Sequence, residues 1–465
     1  MNSNVTVDTL YVRKDDALWG WPESGAHPFK HLDTVRYFYR LKPGAVNLRV
    51  LIDGAAASDS GRIIMDHSRT LSASCENKVI WKLPLEKHVY YCCPAVADDG
   101  TIYVTTGLRP EHSPTGSLYA VRPNGEILWR YDFPDIPYSP VIGNDGVIYV
   151  QDWHFVLYTI SPDGRLLWKF NQFVTQPIYY DQGQRMPAVA ADGTIYLPAD
   201  GLYALEPTTG RLKWRFYPFG EWQPSQTCRQ SPVIGADGTI YITIHQDDFF
   251  AVNPDGSLKW HAKFDFPEEQ TFGCPAIADE GTLYIGTERH LNGFVYAFAP
   301  DGSRKWKFEI EGSGRVVRAS PTIAADGTVY IATKAGLGIP AIVIALSPSG
   351  AKLWEFVVES SGGRLPDDVY CTPTVGADGC IYFGAETQRF YVLKPDGSLN
   401  WSTGVEFGLN WSSGALIADG TLYIGTHHEN PPNRGNLYAL RTSSRGYAPS
   451  PWPRFRKNNR NIGRF

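Results

Sequence analysis

The sequence predicts an all-β fold, an eight-bladed β-propeller of four-stranded antiparallel blades closed by an N-terminal strand. Three observations predict it. A strand motif running from Pro to Tyr recurs eight times, a tryptophan recurs at a period near 46 residues, and the strand missing from the last repeat is left over before the first.

The first motif is Pro, a short apolar strand, Asp-Gly or a close variant, then a β-branched or apolar run around Tyr. It reads PAVADDGTIYV from Pro94, PVIGNDGVIYV from Pro140, PAVAADGTIYL from Pro187 and PVIGADGTIYI from Pro232. It continues as PAIADEGTLYI from Pro275, PTIAADGTVYI from Pro321, PTVGADGCIYF from Pro373 and, with Gly for Pro, GALIADGTLYI from Gly414. The glycine supplies the positive φ that a tight hairpin turn demands, and the Val, Ile and Tyr runs suit a half-buried pleated strand.

The second motif is a strand, a Pro-x-Gly turn and a strand carrying Trp. Those tryptophans are Trp81, Trp129, Trp168, Trp214, Trp260, Trp306, Trp354 and Trp401, with successive gaps of 48, 39, 46, 46, 46, 48 and 47. Each repeat is thus two hairpins in series, the content of one blade. A lone blade cannot bury both faces, so blades stack around an axis, and the recurring Trp is expected to wedge between neighbours, where truncation to Ala would cost about 3–5 kcal/mol.

The last repeat ends with NLYAL at Asn436–Leu440 and has no Trp strand after it, whereas KVIWKL at Lys78–Leu83 has no repeat before it. The N-terminal strand is therefore expected to complete the last blade. Residues 1–76 fit no repeat and read as a β-rich extension or cap; residues 77–465 form the propeller. GRIIMD (Gly61–Asp66) and TLSAS (Thr70–Ser74) could be strands of a further blade, which leaves the count open by one.

LYALEPTTGRLKW, Leu202–Trp214, resembles the tryptophan-docking motif of the PQQ-like, quinoprotein alcohol dehydrogenase-like propellers, with Ala204, Thr209, Gly210 and Trp214 matching and Glu206 in place of Asp. Other copies keep the Gly and Trp with a shorter turn. The closing PWPRFRKNNRNIGR, Pro451–Arg464, is similar to the tail of many such proteins; its basic run, Arg454–Arg464, is the one segment that could suggest nucleic-acid contact, and a solvated terminus explains that charge about as well. The resemblance covers roughly residues 77–465. It implies a fold that hosts PQQ-dependent alcohol and sugar dehydrogenases and an assembly lipoprotein of the outer membrane, so it does not name one activity. Dehydrogenases of this kind stack the quinone on a disulfide between adjacent cysteines, and Cys92-Cys93 is such a pair. PQQ and calcium are possible on that ground but not favoured: the family's calcium ligands have no clear counterparts, and two adjacent buried thiols explain the pair.

With 43% hydrophobic and 13% aromatic residues there is material for a large core, and a net charge of −5 gives no nucleic-acid footprint. Neither a leader-like apolar run nor a bilayer-spanning stretch stands out, so a cytoplasmic protein with no membrane contact is expected. The seven cysteines are an odd number without metal-ligand spacing, which reads as reduced thiols.

If the Pro strand is innermost, the residues just before it and just after the Tyr strand ring the mouth of the channel. The first ring contains Tyr91, Arg229, Phe272, Arg318, Tyr370 and Trp411, with Arg185 beside it; the second contains Trp153, Asp200, His245, Glu288, Lys334, Glu386 and His427. Packing positions repeat, but these vary among aromatic, cationic and acidic types, as an asymmetric ligand would require. Tyr91, Trp153, Arg185, Arg229, Arg318, Lys334, Tyr370 and Trp411 are the candidate ligand-binding set, suited to an anionic or planar molecule. His245, His427, Glu288 and Glu386 are the candidate proton-transfer residues. Variable polar loop tips with ordinary ion pairs are the bland alternative. His427-His428-Glu429 and Asp247-Asp248 are poor metal sites, and no metal is assigned.

Three functions compete. A small molecule in the funnel, handled by a quinone-independent lyase, cyclase or isomerase using acid and base side chains, comes first. A scaffold that binds a protein partner comes second, and a PQQ-dependent dehydrogenase third.

Overall fold

A computed structural model describes residues 78–465 apart from 90–91, 108–114, 172–184, 219–227, 229, 245–247, 268, 313, 336–338, 359–367, 387, 407, 410–411 and 428–433; before residue 78 it describes strands between Thr9 and Cys75. The chain divides into two compact units, Met1–Ile80 with Trp401–Gly404, and Trp81–Asn400 with Val405–Phe465.

The second unit is an eight-bladed propeller of four-stranded antiparallel sheets. Blade 1, for example, runs Ala95–Val96, Ile102–Gly107, Gly116–Val121 and Ile127–Phe133 in simple meander order. The two-residue Pro strand is innermost: the first strands of blades 1 and 2, and of blades 6 and 7, lie against each other at the axis. The sheet of the eighth blade is completed by Val79–Leu85, so the leftover N-terminal strand closes the ring. Ile63–Met65 and Thr70–Cys75 pair with other N-terminal strands instead of adding a blade, which fixes the count at eight.

The repeat motif has a packing logic that its spacing alone does not reveal. In blade 1, Tyr103, Ala120 and Trp129 are cross-strand neighbours, and the missing side-chain bulk of Ala120 lets the two rings meet over it at 5.8 Å. The same trio recurs as Tyr241, Ala251 and Trp260, and as Tyr330, Ala345 and Trp354. Each indole then reaches the next blade. The Nε1 of Trp129 donates to the Pro162 carbonyl at 2.9 Å, and that of Trp260 to Pro300 at 2.8 Å. The glycine two residues beyond that proline, at positive φ, lies beneath the ring. These indoles are half-buried clasps on the blade rims. The expected wedge cost of about 3–5 kcal/mol for their truncation is therefore too high, since part of the ring already meets water.

Around the axis, the residue immediately before each Pro forms a belt. The N–H of Cys93 donates to Ser139 Oγ (2.8 Å), Met186 to Ser231 Oγ (2.9 Å), Cys274 to Ser320 Oγ (2.7 Å), Ser320 to Thr372 Oγ1 (3.0 Å) and Thr372 to Ser413 Oγ (3.0 Å). Ser413 N–H closes the circle on Cys93 Sγ at 3.3 Å. Innermost strands have no neighbour on their axial side, so their N–H groups need partners from elsewhere.

The C-terminal tail supplies the rest. Carbonyls of Trp452, Pro453, Asn459, Arg460, Ile462 and Gly463 accept from the N–H groups of Ile323, Val375, Val96, Ile142, Val189 and Ile234, at 2.7–3.2 Å. The tail thus circles the axis on the face of the first hairpin turns, touching six blades. Arg456 is fully buried, donating to the carbonyls of Pro232 (2.7 Å), Pro187 and Asn461 (3.1 Å). Burial lowers its pKa to about 10, still high enough to keep the charge. The basic tail is therefore an internal cap over the axis and not a solvated terminus: its backbone carbonyls pair with innermost strands, and the buried Arg456 is matched to two of their carbonyls.

Candidate functional site

The opposite face carries the funnel. In blades 2, 5, 6 and 8, the connection entering the innermost strand and the hairpin after the Tyr strand both end there, and backbone bridges tie them: Pro137 to Asp152, Gln270 to Glu288, Val316 to Lys334 and Gly408 to His427. The bridges bring the two aligned rings of residues onto one face.

Blades 5 to 7 gather the densest set. Arg318 donates from Nε and Nη2 to the two carboxylate oxygens of Glu288, both at 2.9 Å, and its guanidinium lies 4.6 Å from the centre of the Phe272 ring. Both partners of this pair are largely buried, so the fork is held rigidly. Tyr370 OH donates to Asp368 Oδ2 at 2.7 Å, while Asp368 Oδ1 accepts from Ala335 N–H at 2.8 Å. Lys334 Nζ is 5.8 Å from the Tyr370 ring, and Glu386 N–H donates to the Asp368 carbonyl at 3.0 Å. Burial raises the Asp368 pKa, the Tyr370 bond and Lys334 only partly opposing it. Burial, and then the Asp368 charge, pushes the Tyr370 phenol up as well. Burial thus favours the protonated form of the Asp368 carboxyl, which the Tyr370 hydroxyl meets through one hydrogen bond. Below them a cavity of about 10 Å³, the room one water needs, is bounded by Arg318, Tyr370, Phe272, Ser320, Thr372 and Phe455. It links the funnel residues to the hydroxyl belt and the tail.

Other candidates stand elsewhere on this face. Arg185 is 2% exposed, donates from Nε to the Cys228 carbonyl at 2.7 Å and lies 4.8 Å from the Phe155 ring centre. It ties blades 2, 3 and 4 and does not join Arg318. Trp153 stacks on Tyr138 with centroids 6.5 Å apart. His427 is buried beside His88, ring centres 6.3 Å apart, with Nδ1 3.2 Å from the Gly408 carbonyl. Tyr91, Arg229, His245 and Trp411 lie outside the described residues, as do Asp247, His428 and Glu429. Among the described residues, no three His, Cys, Asp or Glu side chains converge for a metal, and Asp248 bonds His261 Nε2 at 2.5 Å.

Sequence reasoning missed Asp368, which has no repeat signal, and the Asp135–His154 pair on blade 2, where buried Asp135 holds Nδ1 of a partly exposed imidazole. Burial lowers the His154 pKa and so favours its neutral form. The neighbouring Asp152 is nearly fully buried, and desolvation pushes its pKa up to about 7 despite the Val156 N–H bond at 2.8 Å. A carboxyl with a raised folded-state pKa stabilises the fold below its unfolded pKa near 4 and loses that contribution as pH rises through 7. Asp152→Asn is accordingly expected to gain on the order of 1–3 kcal/mol over the parent at pH 8 and nothing at pH 4. Urea unfolding at both pH values checks this; a gain independent of pH would refute the assignment.

The quinone site implied by the resemblance is not matched by the described residues. Cys92 and Cys93 face different surroundings: Cys92 Sγ accepts from Thr105 N–H at 3.2 Å in the core between blades 8 and 1, and Cys93 Sγ belongs to the axial belt. Burial raises both thiol pKa values, that of Cys92 to about 12, so neither is a ready thiolate.

A family profile described as outer membrane protein assembly factor BamB matches residues 69–216 and 198–445. Among solved structures, BamB from Moraxella catarrhalis aligns at 16% identity and a TM-score of 0.55, covering 78% of this chain and 99% of that one. A europium-containing methanol dehydrogenase aligns at 13% identity and 0.58, covering 78% and 93%. The Dos1 propeller aligns at 12% identity and 0.56, covering 80% and 97%. At such identities these likenesses establish the fold alone. No curated protein sequence matches this one. Among the described residues, no helix is long and apolar enough to cross a membrane.

Proposed function

This chain belongs to the PQQ-like β-propeller family, and from that premise we propose that its funnel binds a small polar molecule bearing an anionic or planar group, over blades 5 to 7. The observation that carries this reading is the clustering of Arg318 with Glu288, and of Tyr370 with Asp368 and Lys334, on three successive blades, with Arg318 and Tyr370 bounding one small cavity. Arg318 and Lys334 would receive the anion, Phe272 and Tyr370 would wall it, and the Asp368–Tyr370 pair would donate or accept a proton in a quinone-independent reaction of lyase, cyclase or isomerase type. Tyr91, Arg229, His245, Glu386, His427 and Trp411 remain part of this proposed rim.

A panel of hydroxy, keto and aromatic carboxylates, read by thermal shift and calorimetry, tests the reading. For any acid that binds, the Arg318→Ala, Lys334→Ala double variant is expected to lose about 10- to 100-fold in affinity with the fold kept. Unchanged affinity would refute it.

The BamB description favours a second reading, a scaffold that docks a protein partner. A stoichiometric partner recovered equally by the parent and by the double variant would support that reading over the first.

A further inference from the structure

The tail-capped face contains a second site, independent of the funnel. A cavity of about 640 Å³ opens between the hairpin turns of blades 8, 1 and 2 and the tail that crosses them, within the usual range for small-molecule pockets. Its apolar lining comes from Val96, Ile417 and Ile462, and its polar lining includes Asn144, Asn458 and Arg464.

The two arginines that line this pocket differ in their pairing. Arg460, also lining it, is neutralised by Asp98, accepting on both oxygens, and Asp419 is a further acidic group on the rim. Arg464 has no such partner: its Nη1 is buried without an acceptor among the described residues. Behind the wall residue Tyr447 lies Arg454, fully buried, 5.9 Å from the Tyr447 ring centre. Its Nη1 donates to the Asn458 carbonyl at 3.0 Å, but its Nε and Nη2 meet no acceptor. Buried cations are ordinarily paired, because an uncompensated charge in a low-dielectric interior is costly. Arg464 is the guanidinium that lines the pocket with a donor unspent, and beside an apolar lining it suits a ligand that is an anion at one end and hydrocarbon at the other.

We propose that this pocket binds a short-chain aliphatic monocarboxylate, its carboxylate on Arg464 with the side-chain amides of Asn144 and Asn458, and its chain over Val96, Ile417 and Ile462. A carboxylate suits Arg464 because the planar fork can meet both oxygens.

The test is thermal shift and calorimetry on the full chain with acetate, butyrate and hexanoate at matched ionic strength, with hexanol as the uncharged control. Hexanoate is expected to raise the melting temperature in a saturable way, affinity falling about three- to fourfold for each methylene removed. Hexanol is expected to give no saturable shift. Arg464→Ala abolishes the hexanoate effect, and Ala418→Phe, which fills the pocket from its exposed rim while leaving the arginines in place, does the same should the first variant fold poorly. Arg318→Ala in the funnel leaves it intact. An equal shift with hexanol, a shift that survives both pocket variants, or no binding of any acid at tens of millimolar would overturn the proposal.

Discussion

Replacing Trp452 by alanine is expected to lower the unfolding free energy by about 3–5 kcal/mol, more than any rim tryptophan of the repeats. The indole is fully buried in the largest apolar cluster, together with Phe455 and Ile462 of the tail and the inner strands of several blades. Its carbonyl simultaneously accepts from Ile323 N–H at 2.8 Å, so the ring's position fixes where the tail begins its circuit. Loss of the ring leaves a cavity at the axis, where eight blades meet and no single one can move in to fill it. Urea midpoints of Trp452→Ala against Trp129→Ala provide the comparison. A smaller loss at Trp452 than at Trp129 would mean that the tail contributes little to holding the ring closed.

That contrast marks where the sequence was legible. The blades could be read because each is built from local rules repeated eight times: a Gly-bearing turn, alternating strands, and a Trp at a fixed offset. Closure by Val79–Leu85 followed from one unmatched strand at each end. Nothing comparable exists for the tail, which occurs once and whose partners are spread along the whole propeller, some more than 200 residues away, as Arg456 to Pro187 and Pro232. Its charge pattern resembles that of a solvated terminus, and only the geometry of innermost strand edges explains why it is inside. The hydroxyl belt was in view, since Ser139, Ser231, Ser320 and Ser413 occupy the same repeat position, but a small polar residue before proline also suits an ordinary turn.

The funnel was legible in composition and not in pairing. Varied residue types at two aligned positions pointed to this face, whereas the engagement of Arg318 by Glu288 depends on neighbouring blades meeting in a particular register. Arg185 sits one residue from the aligned position, and its side chain runs to the Cys228 carbonyl instead of toward Arg318.

Gly350→Ala is expected to cost about 2–4 kcal/mol, and the reason can be separated into two parts. The residue has φ 88°, a conformation that costs an L-residue about 1–2 kcal/mol. A Cβ there would also stand 2.7 Å from Cδ2 and 3.0 Å from Cγ of Trp306, whose Nε1 donates to the Pro348 carbonyl at 2.9 Å and whose ring meets Tyr284 at 5.6 Å. The indole cannot retreat without giving up that bond and that contact, so the methyl group disrupts the junction between blades 5 and 6. A double-mutant cycle with Trp306→Ala isolates the second part: in that background Gly350→Ala should cost only about 1–2 kcal/mol, the backbone share. If the two substitutions were additive within about 0.5 kcal/mol, the glycine would serve the turn alone. The pairing of Gly and Trp across blades would then be a coincidence of the repeat and not the contact that sets the distance between neighbouring sheets.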